Sequence, residues 1–287
     1  MRIGIVGTES SHVDHIVHHL NVEALGGDAR VVALSGGASE RNELLCAKGG
    51  LERIVEVPTD LLGLVDAVMV TDRDGALHRA HAVPFLEQGL PVFVDKPLAC
   101  DIADAEAIIA AARAHDAPLT SYSALRALPD TDALAAETAA HGGAEVVAVS
   151  GPADPQGPYG GVFFYGIHAV DTALRLAPGP LGDIHVARTP TTLTATTTAG
   201  TTRVVVTLVR PTETAQIPFH AMAATRTHLT QRTLTLGDHY LLPGLRTFLH
   251  MARTRQLPLS YDALLHPIHL LHELARTPGA PTPRLPK

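Results

Sequence analysis

The chain has 287 residues, of which 22 are Lys or Arg and 29 are Asp or Glu, so its net charge is -7. This balance excludes the clustered positive surface of a nucleic-acid-binding protein, and 46% apolar against 18% charged residues exclude general disorder. Two cysteines exclude a disulfide framework, and the absence of an apolar run near ~20 residues excludes a membrane-spanning segment. We expect a cytoplasmic globular protein, because the chain opens directly on a strand without a secretory signal.

The first half of the chain alternates short apolar runs with helical stretches. The predicted strands are Ile3–Val6, Val31–Leu34, Ala67–Val70 and Val92–Val94. The predicted helices lie near Val13–Leu25, Ser39–Lys48, Ala76–Gln88 and Ile102–His115. Such alternation is typical of βαβ units around a parallel sheet. It predicts a doubly wound α/β domain over residues 1–121.

After Ser121 the pattern changes to a mixture of helices and alternating strands. The predicted elements are helices near Asp130–Ala140, His168–Leu176, Leu242–Arg255 and Tyr261–Arg276, a strand at Glu145–Val149, and a Gly/Pro-rich loop at Gly151–Gly161. From Ile184 to Leu236 the chain is rich in Thr and Val at period two, which favours an antiparallel sheet. We predict an α+β domain over residues 122–287 with a large, mostly antiparallel open sheet and a Pro-rich tail. Because a wide sheet needs its second face covered, we expect a homodimer or homotetramer formed through this sheet.

The turn after the first strand has part of a dinucleotide fingerprint. A complete fingerprint would place glycines at Gly7, Glu9 and His12, and only the first is present. The strand-turn-helix context still offers free N–H groups and a helix dipole to a pyrophosphate. Ser10 and Ser11 add hydroxyl donors, or serve as helix caps instead.

The end of the second strand bears on the choice of cofactor. An NAD site commonly has an acidic residue here, which binds the ribose 2′-hydroxyl, whereas this chain has Ser35 followed by Gly36. Ser39 and Arg41 lie close enough in sequence to meet a 2′-phosphate. This pattern favours NADP over NAD, although Ser35 could instead cap a turn and Arg41 could be an ordinary solvated helix residue.

Five segments, taken together and in order, resemble the Gfo/Idh/MocA oxidoreductases. They are the opening GIVG, VTDRDGALH at Val70–His78, VFVDKPLA at Val92–Ala99, SYSALR at Ser121–Arg126, and GGVFFYGIHAVD at Gly160–Asp171. The Lys-Pro after a strand and the downstream Gly-x-His-x-x-Asp are the more specific pair. The resemblance implies a Rossmann domain followed by the α+β domain, with a cleft between them.

The resemblance also implies an activity and a set of site residues. It implies an NAD(P)-dependent oxidoreductase that interconverts a hydroxyl and a carbonyl on a sugar, a cyclitol or a related small polar metabolite. Lys96 would polarise the reacting oxygen and His168 would donate or accept the proton, which suits a group that titrates near neutral pH. The implied cofactor-binding residues are Gly7, Thr8, Ser10, Ser11, His12, Ser35, Gly36, Arg41, Thr71, Asp72, His78, Asp95 and Lys96. The implied substrate-binding residues are Lys96, Arg126, Tyr159, Tyr165, His168 and Asp171.

Departures from the family pattern leave alternatives open. Many members carry an aspartate where this chain has Phe164, so Asp171 could orient the His168 ring, or could serve capping or core packing. Arg126 could instead form a salt bridge with Asp130 or Asp132, and Tyr159 could cover the sheet. A lyase or glycosidase on the same scaffold, or a catalytically weakened nucleotide- or metabolite-binding homologue, is the alternative function.

The first helix carries His12, His15, His18 and His19. His15 and His19 have the i,i+4 spacing of metal-binding pairs, but no acidic or cysteine cluster accompanies them in sequence. A solvated helix face accounts for the pattern better. We therefore predict no metal site.

Overall fold

The computed structural model describes residues 1–276, and its first sheet is parallel throughout. The strands are β1 (Arg2–Val6), β2 (Arg30–Ser35), β3 (Arg53–Val55), β4 (Ala67–Val70), β5 (Val92–Val94) and β6 (Leu119–Thr120). Their order is β3-β2-β1-β4-β5-β6, so the direction of winding reverses between β1 and β4. Every residue of β4 and β5 is buried, because helices cover both faces of a parallel sheet. The predicted doubly wound domain is confirmed.

Four helices flank this sheet. They are α1 (His12–Val17), α2 (Ser39–Gly49), α3 (His78–Leu86) and α4 (Ile102–Ala114), and α1 continues as a π-helical turn over His18–Val22. Each matches a helix predicted from sequence to within a few residues. The short strands β3 and β6 were not predicted. The first is largely exposed and the second has only two residues, so neither leaves a buried apolar run in the sequence.

The second sheet is mixed and mostly antiparallel, as predicted. Its strands are β7 (Val146–Pro152), β8 (His185–Arg188), β9 (Thr192–Ala199), β10 (Thr202–Val209), β11 (Phe219–Ala224) and β12 (Leu229–Leu234), in the order β12-β11-β7-β10-β9-β8. Only the β7–β10 pair is parallel. The helices of this half are α5 (Pro129–Ala140), α6 (Val162–Leu176), α7 (Leu242–Thr254) and α8 (Tyr261–Ala275). Helices α5, α6 and α8 pack on one face of the sheet.

Helix α6 begins six residues before the start predicted at His168. Two glycines with positive φ, Gly160 at 86° and Gly161 at 60°, turn the chain into the helix at Val162. The segment Phe163–Phe164–Tyr165 is therefore helical, and the loop before it is shorter than predicted. Because of this shift, Phe164 and His168 lie one helical turn apart on neighbouring positions of the same face.

Helix α7 returns to the first sheet. Leu245, Phe248 and Met251 are buried in one apolar cluster with Ile3 and Ile5 of β1. The segment 235–241, which connects β12 to α7, is thereby held beside α1. Within residues 1–276 no helix is long and apolar enough to cross a bilayer. The predicted Pro-rich tail lies outside the described residues.

Candidate active site

A cleft of about 360 Å³ opens at the carboxyl ends of β1, β4 and β5. This is the edge of a doubly wound sheet, beside the reversal of strand order, where such folds bind ligands. The cleft is lined by Glu9, Ser10, Ser11, His12, Asp14, Arg41, Asp72, Arg73, Asp95, Lys96, Ala124, Phe164, Tyr165, His168, Leu236 and Tyr240. Residues predicted for the cofactor and for the chemistry thus meet in one volume.

The turn after β1 is built around Gly7. Its φ is 80°, and a Cβ atom there would lie 2.5 Å from the Asp72 carboxyl group, so only glycine fits. The Thr71 hydroxyl donates to the Gly7 carbonyl at 2.6 Å and fixes the turn to the end of β4. Among the described residues, the backbone N–H groups of residues 8–11 have no hydrogen-bond partner. The turn therefore presents free donors to an anion although two fingerprint glycines are missing.

Thr8 supports the turn from behind with its side chain. The residue is fully buried, and its hydroxyl donates to the Gly36 carbonyl at 3.1 Å and contacts Asn42 at 2.6 Å. Thr8 therefore supports the turn and does not line the cleft. Gly36 has a φ of 78°, which lets the chain leave β2 close beside Gly7.

Arg41 lines the cleft, whereas Ser35 is buried beside it. The Ser35 hydroxyl is buried and has no partner among the described residues. The Arg41 guanidinium donates to the Thr8 carbonyl, to the Ser10 carbonyl at 3.0 Å and to the Asp14 carboxylate at 2.7 Å. Arg41 is thus engaged within the turn and is not the solvated side chain of the alternative interpretation.

The acidic side chains around the turn are mostly neutralised by partners. Asp14 pairs with Arg41, and the Asp72 carboxylate is hydrogen-bonded to the His81 ring, with 2.8 Å between Oδ2 and Nδ1. The Asp72 carboxylate raises the pKa of His81 by this hydrogen bond. Glu9 is exposed. This pairing lowers the repulsion that a pyrophosphate would meet, so the residues present fit a dinucleotide.

Asp95 and His12 form a hydrogen-bonded pair in the floor of the cleft. The His12 Nδ1 atom lies 2.7 Å from Asp95 Oδ2, and the other carboxylate oxygen accepts the Lys96 backbone N–H at 2.8 Å. Burial raises the pKa of the Asp95 carboxyl, but His12 and Lys96 together outweigh burial and hold it well below its usual range. His12 thus stands where the third fingerprint glycine would be, and its ring contacts Asp95, the residue before Lys96-Pro97.

Lys96 extends into the cleft beneath an aromatic ring. Its Nζ atom lies 4.5 Å from the centre of the Phe164 ring, a distance at which a cation–π interaction is favourable. Burial lowers the pKa of Lys96; Asp95 opposes this effect, and Arg73 adds to it. Phe164 occupies the position where many family members have an aspartate. Its ring stabilises the Lys96 ammonium group but cannot accept a hydrogen bond or a proton from it as a carboxylate would.

His168 is held by a hydroxyl group instead of a carboxylate. Its Nδ1 atom lies 2.7 Å from the Ser123 Oγ atom. Burial lowers the pKa of His168 well below its usual value, and the nearby Lys96 lowers it further. The imidazole is therefore neutral at neutral pH, which is the state that accepts a proton.

Asp171 acts through its neighbours instead of touching the His168 ring. Its carboxylate accepts the Ser123 backbone N–H at 2.7 Å and pairs with Arg126 at 2.7 Å. Of the alternatives that the sequence leaves open for Asp171, direct orientation of the His168 ring is therefore not what the structure shows. Arg126 does form a salt bridge, as the alternative proposed, but with Asp171 and not with Asp130 or Asp132.

Three further predicted residues lie at or beneath the rim. His78 is fully buried, and its ring joins the Pro97 and Asp72 carbonyls at 2.8 and 3.0 Å, so it supports two cleft loops from below. Tyr165 is 41% exposed and lines the cleft. Tyr159 packs 5.3 Å from the Phe164 ring, outside the lining.

Three residues in or beside the cleft were not predicted from sequence: Ser123, Arg73 and Tyr240. Ser123 lies within the quoted SYSALR segment, yet nothing in its spacing shows that it meets His168, 45 residues away. Arg73 lies in the quoted segment after β4 and lines the cleft. Tyr240 comes from a segment without a motif, so no sequence signal identifies it.

Residues 1–123 match the family model described as "Oxidoreductase family, NAD-binding Rossmann fold", which is that of Gfo/Idh/MocA. The predicted resemblance is confirmed. Two relatives from Saccharopolyspora erythraea match part of the chain. Inositol 2-dehydrogenase 1 is 40% identical over 113 residues, or 38% of this chain and 32% of that protein. Inositol 2-dehydrogenase 3 is 30% identical over 128 residues, or 44% and 36% of the two chains.

The chain thus spans about a third of the length of these relatives in the matched segments. Solved structures extend the likeness of fold to both halves. A myo-inositol dehydrogenase from Corynebacterium glutamicum has a TM-score of 0.78 at 16% identity, over 95% of this chain and 94% of that chain. A scyllo-inositol dehydrogenase from Lactobacillus casei, with bound NAD(H) and scyllo-inositol, has a TM-score of 0.77 at 13% identity over 95% of each chain.

Proposed function

We propose that this protein is an NAD(P)-dependent dehydrogenase that interconverts a hydroxyl and a carbonyl group on a cyclitol, a sugar or a related small polar metabolite. The observation that carries the proposal is the meeting of Lys96 and His168 in one cleft with the free N–H groups of the turn after β1. The inositol dehydrogenases named among the relatives support the substrate class. A bound nicotinamide would supply the hydride acceptor or donor, and the protein would supply orientation and proton handling.

The turn would hold the dinucleotide by its phosphates. The N–H groups of residues 9–11 and the hydroxyls of Ser10 and Ser11 would be its donors, and Arg41 keeps the turn in place from α2. The Ser35 hydroxyl is buried and lies outside the cleft lining, so its contact with the adenosine ribose stays a prediction from sequence. The lack of a carboxylate at this position supports NADP, as the sequence predicts, whereas the engagement of Arg41 removes one candidate partner of a 2′-phosphate. Preference for NADP stays a prediction.

Lys96 would bind the reacting oxygen of the substrate. An ammonium group polarises a carbonyl and stabilises the negative charge that develops on its oxygen. The Asp95–His12 pair, buried behind the lysine, keeps a negative charge beside the ammonium and favours its protonated form. The Phe164 ring restricts the lysine to the cleft side.

His168 would take the proton from the substrate hydroxyl during oxidation and return it during reduction. Its Nδ1 atom is bound by Ser123, so the other ring nitrogen is the one free to exchange a proton. Asp171 fixes Ser123 by its backbone N–H, and Arg126 fixes Asp171. Arg126 and Asp171 are thus positioning residues in this proposal, while Tyr165 at the cleft wall is the candidate for substrate contact.

Steady-state assays test this function. The purified chain is mixed with NAD or NADP and a panel of inositols and sugars, and the absorbance of the reduced nicotinamide is followed. We expect reduction with at least one polyol, and none with Lys96→Met under the same conditions. Consumption of a substrate without net formation of reduced cofactor would contradict the proposal and favour a lyase or glycosidase reaction.

A further inference from the structure

His18 and His19, in the π-helical turn that follows α1, lie in a side-chain cluster outside the cleft. The face they occupy was predicted to be solvated, but His19 is only 1% exposed. Its Nδ1 atom lies 2.6 Å from the Glu23 carboxylate, and its Nε2 atom is buried without a partner among the described residues. A buried imidazole nitrogen without a hydrogen bond is costly, so this atom indicates a missing partner.

A residue from the other half of the chain completes the cluster. The His239 ring, in the segment 235–241, lies 5.2 Å from the His19 ring. One ligand atom each from His19, Glu23 and His239 lies within 4.8 Å of the others. His18 lies beside the cluster, with its Nε2 atom 3.7 Å from the Glu23 carboxylate. His19 belongs to the π-helical turn over His18–Val22, a feature that often marks functional positions, and Glu23 follows that turn directly.

We propose that His19, Glu23 and His239 form a binding site for a transition-metal ion of the Zn²⁺ class. Two imidazoles and one carboxylate are the donors of a known type of zinc site, and imidazole favours Zn²⁺, Ni²⁺ and Cu²⁺ over Mg²⁺ and Ca²⁺. Metal–ligand bonds of about 2.1 Å require ligand atoms roughly 3.4 Å apart. The exposed side chains of Glu23 and His239 can close the remaining distance.

The site joins two parts of the protein that border the cofactor cleft. Glu23 and His19 extend from α1, whose N-terminus carries the phosphate-binding turn. His239 is adjacent to Tyr240, which lines the cleft and contacts the His15 ring at a centroid distance of 5.1 Å. A bound ion would therefore fasten the segment 235–241 against α1, next to the cleft.

Binding of Zn²⁺ alone tests the site, independently of any enzymatic activity. The tag-free full chain is treated with chelator, dialysed and titrated with ZnCl₂ by calorimetry, and the bound metal is counted by mass spectrometry after desalting. We expect one Zn²⁺ per chain and no binding of Mg²⁺. His239→Ala and Glu23→Gln, both at exposed positions, should each raise the Kd at least ~10-fold, the usual scale for changes around a metal.

His185→Ala is the matched control, because His185 is exposed on β8 and has no place in the cluster. It should bind Zn²⁺ like the unaltered chain. Equal Zn²⁺ affinity in His239→Ala, or no uptake by the unaltered chain, would overturn the site. Amide hydrogen exchange of residues 235–241 should slow when Zn²⁺ binds. Unchanged exchange in the Zn²⁺-bound protein would contradict the claim that the ion holds this segment against α1.

Discussion

Lys96 and His168 reach the cleft from different halves of the chain, and each has a separate task in the proposed reaction. Replacing Lys96 by Met removes the charge that stabilises the reacting oxygen, and replacing His168 by Ala removes the base. We expect each change to lower kcat/KM by at least ~10²-fold, the usual scale for a positioned acid or base. The measurement is initial-rate kinetics at saturating cofactor. Near-normal turnover in either variant would remove that residue from the mechanism.

Ser123 is a positioning residue for His168. Burial and the nearby Lys96 lower the pKa of His168. The fall of kcat/KM for oxidation on the acid side of the pH profile should therefore lie below pH 6.5, because a protonated imidazole can no longer accept a proton. Ser123→Ala removes a hydrogen bond worth about 1 kcal/mol, so we expect a roughly fivefold loss of kcat and a displaced acid limb.

Ser123→Thr, which keeps the hydroxyl, should restore both the rate and the pH profile. Thr120→Val is the control, because the buried Thr120 hydroxyl has no partner among the described residues and does not contact His168. A rate loss in Ser123→Ala with an unchanged pH profile would mean that the serine is only structural.

At the scale of elements, Glu137 joins helix α5 to the edge strand β12. Its carboxylate contacts His228 at 2.9 Å, Thr230 at 2.8 Å and Arg232 at 2.8 Å. Several interactions, of which the hydrogen bond with His228 is the largest, lower the pKa of Glu137 from 4.5 to about 2. A carboxyl group with a depressed folded pKa stabilises the fold above its unfolded pKa, and this contribution is lost as the pH falls.

Glu137→Gln should therefore lower the thermal unfolding midpoint at pH 7. The difference from the unaltered chain should shrink as the pH falls from 4.5 toward 2, because protonation removes the same charge from the unaltered chain. Glu145→Gln is the control, since its bridge to Arg226 is more exposed and involves one partner. A midpoint difference that stays constant with pH would contradict the role of the charge.

The sequence predicted elements well where local pattern determines them. The buried strands at Ala67–Val70 and Val92–Val94 have the bounds expected from their apolar runs. The start of α6 was predicted too late: the sequence left residues 162–167 unassigned, whereas the positive φ values of Gly160 and Gly161 turn the chain so that the helix begins at Val162. Contacts between distant segments, such as Ser123 with His168 and His19 with His239, produce no periodicity in the sequence. They become visible only once the chain is folded.

At the scale of the whole molecule, the uncovered face of the second sheet bears on assembly. Thr196, Val205, Ala148 and Met222 lie side by side across four strands, opposite the face that α5, α6 and α8 cover. These residues are small or apolar and only half-buried. We propose, as the sequence predicts, that a second copy of the chain covers this face.

Val205→Arg places a charge at the centre of this face and should convert the oligomer to a monomer. Leu44→Arg is the matched control, because Leu44 is 72% exposed on α2 and lies in the other half of the chain. Light scattering coupled to size-exclusion chromatography measures the mass of each. A monomeric unaltered chain, or an oligomer that persists in Val205→Arg, would contradict assembly through this face.

Cofactor binding depends most on the turn after β1, which must hold a dinucleotide with one fingerprint glycine in place of three. Titration of the purified protein with NAD, NADH, NADP and NADPH, followed by calorimetry or fluorescence, tests this directly. We predict micromolar binding of at least one oxidised and reduced pair in the cleft that Lys96 and His168 share. Binding of none of the four would contradict the dehydrogenase proposal and favour the non-redox or sensor alternatives.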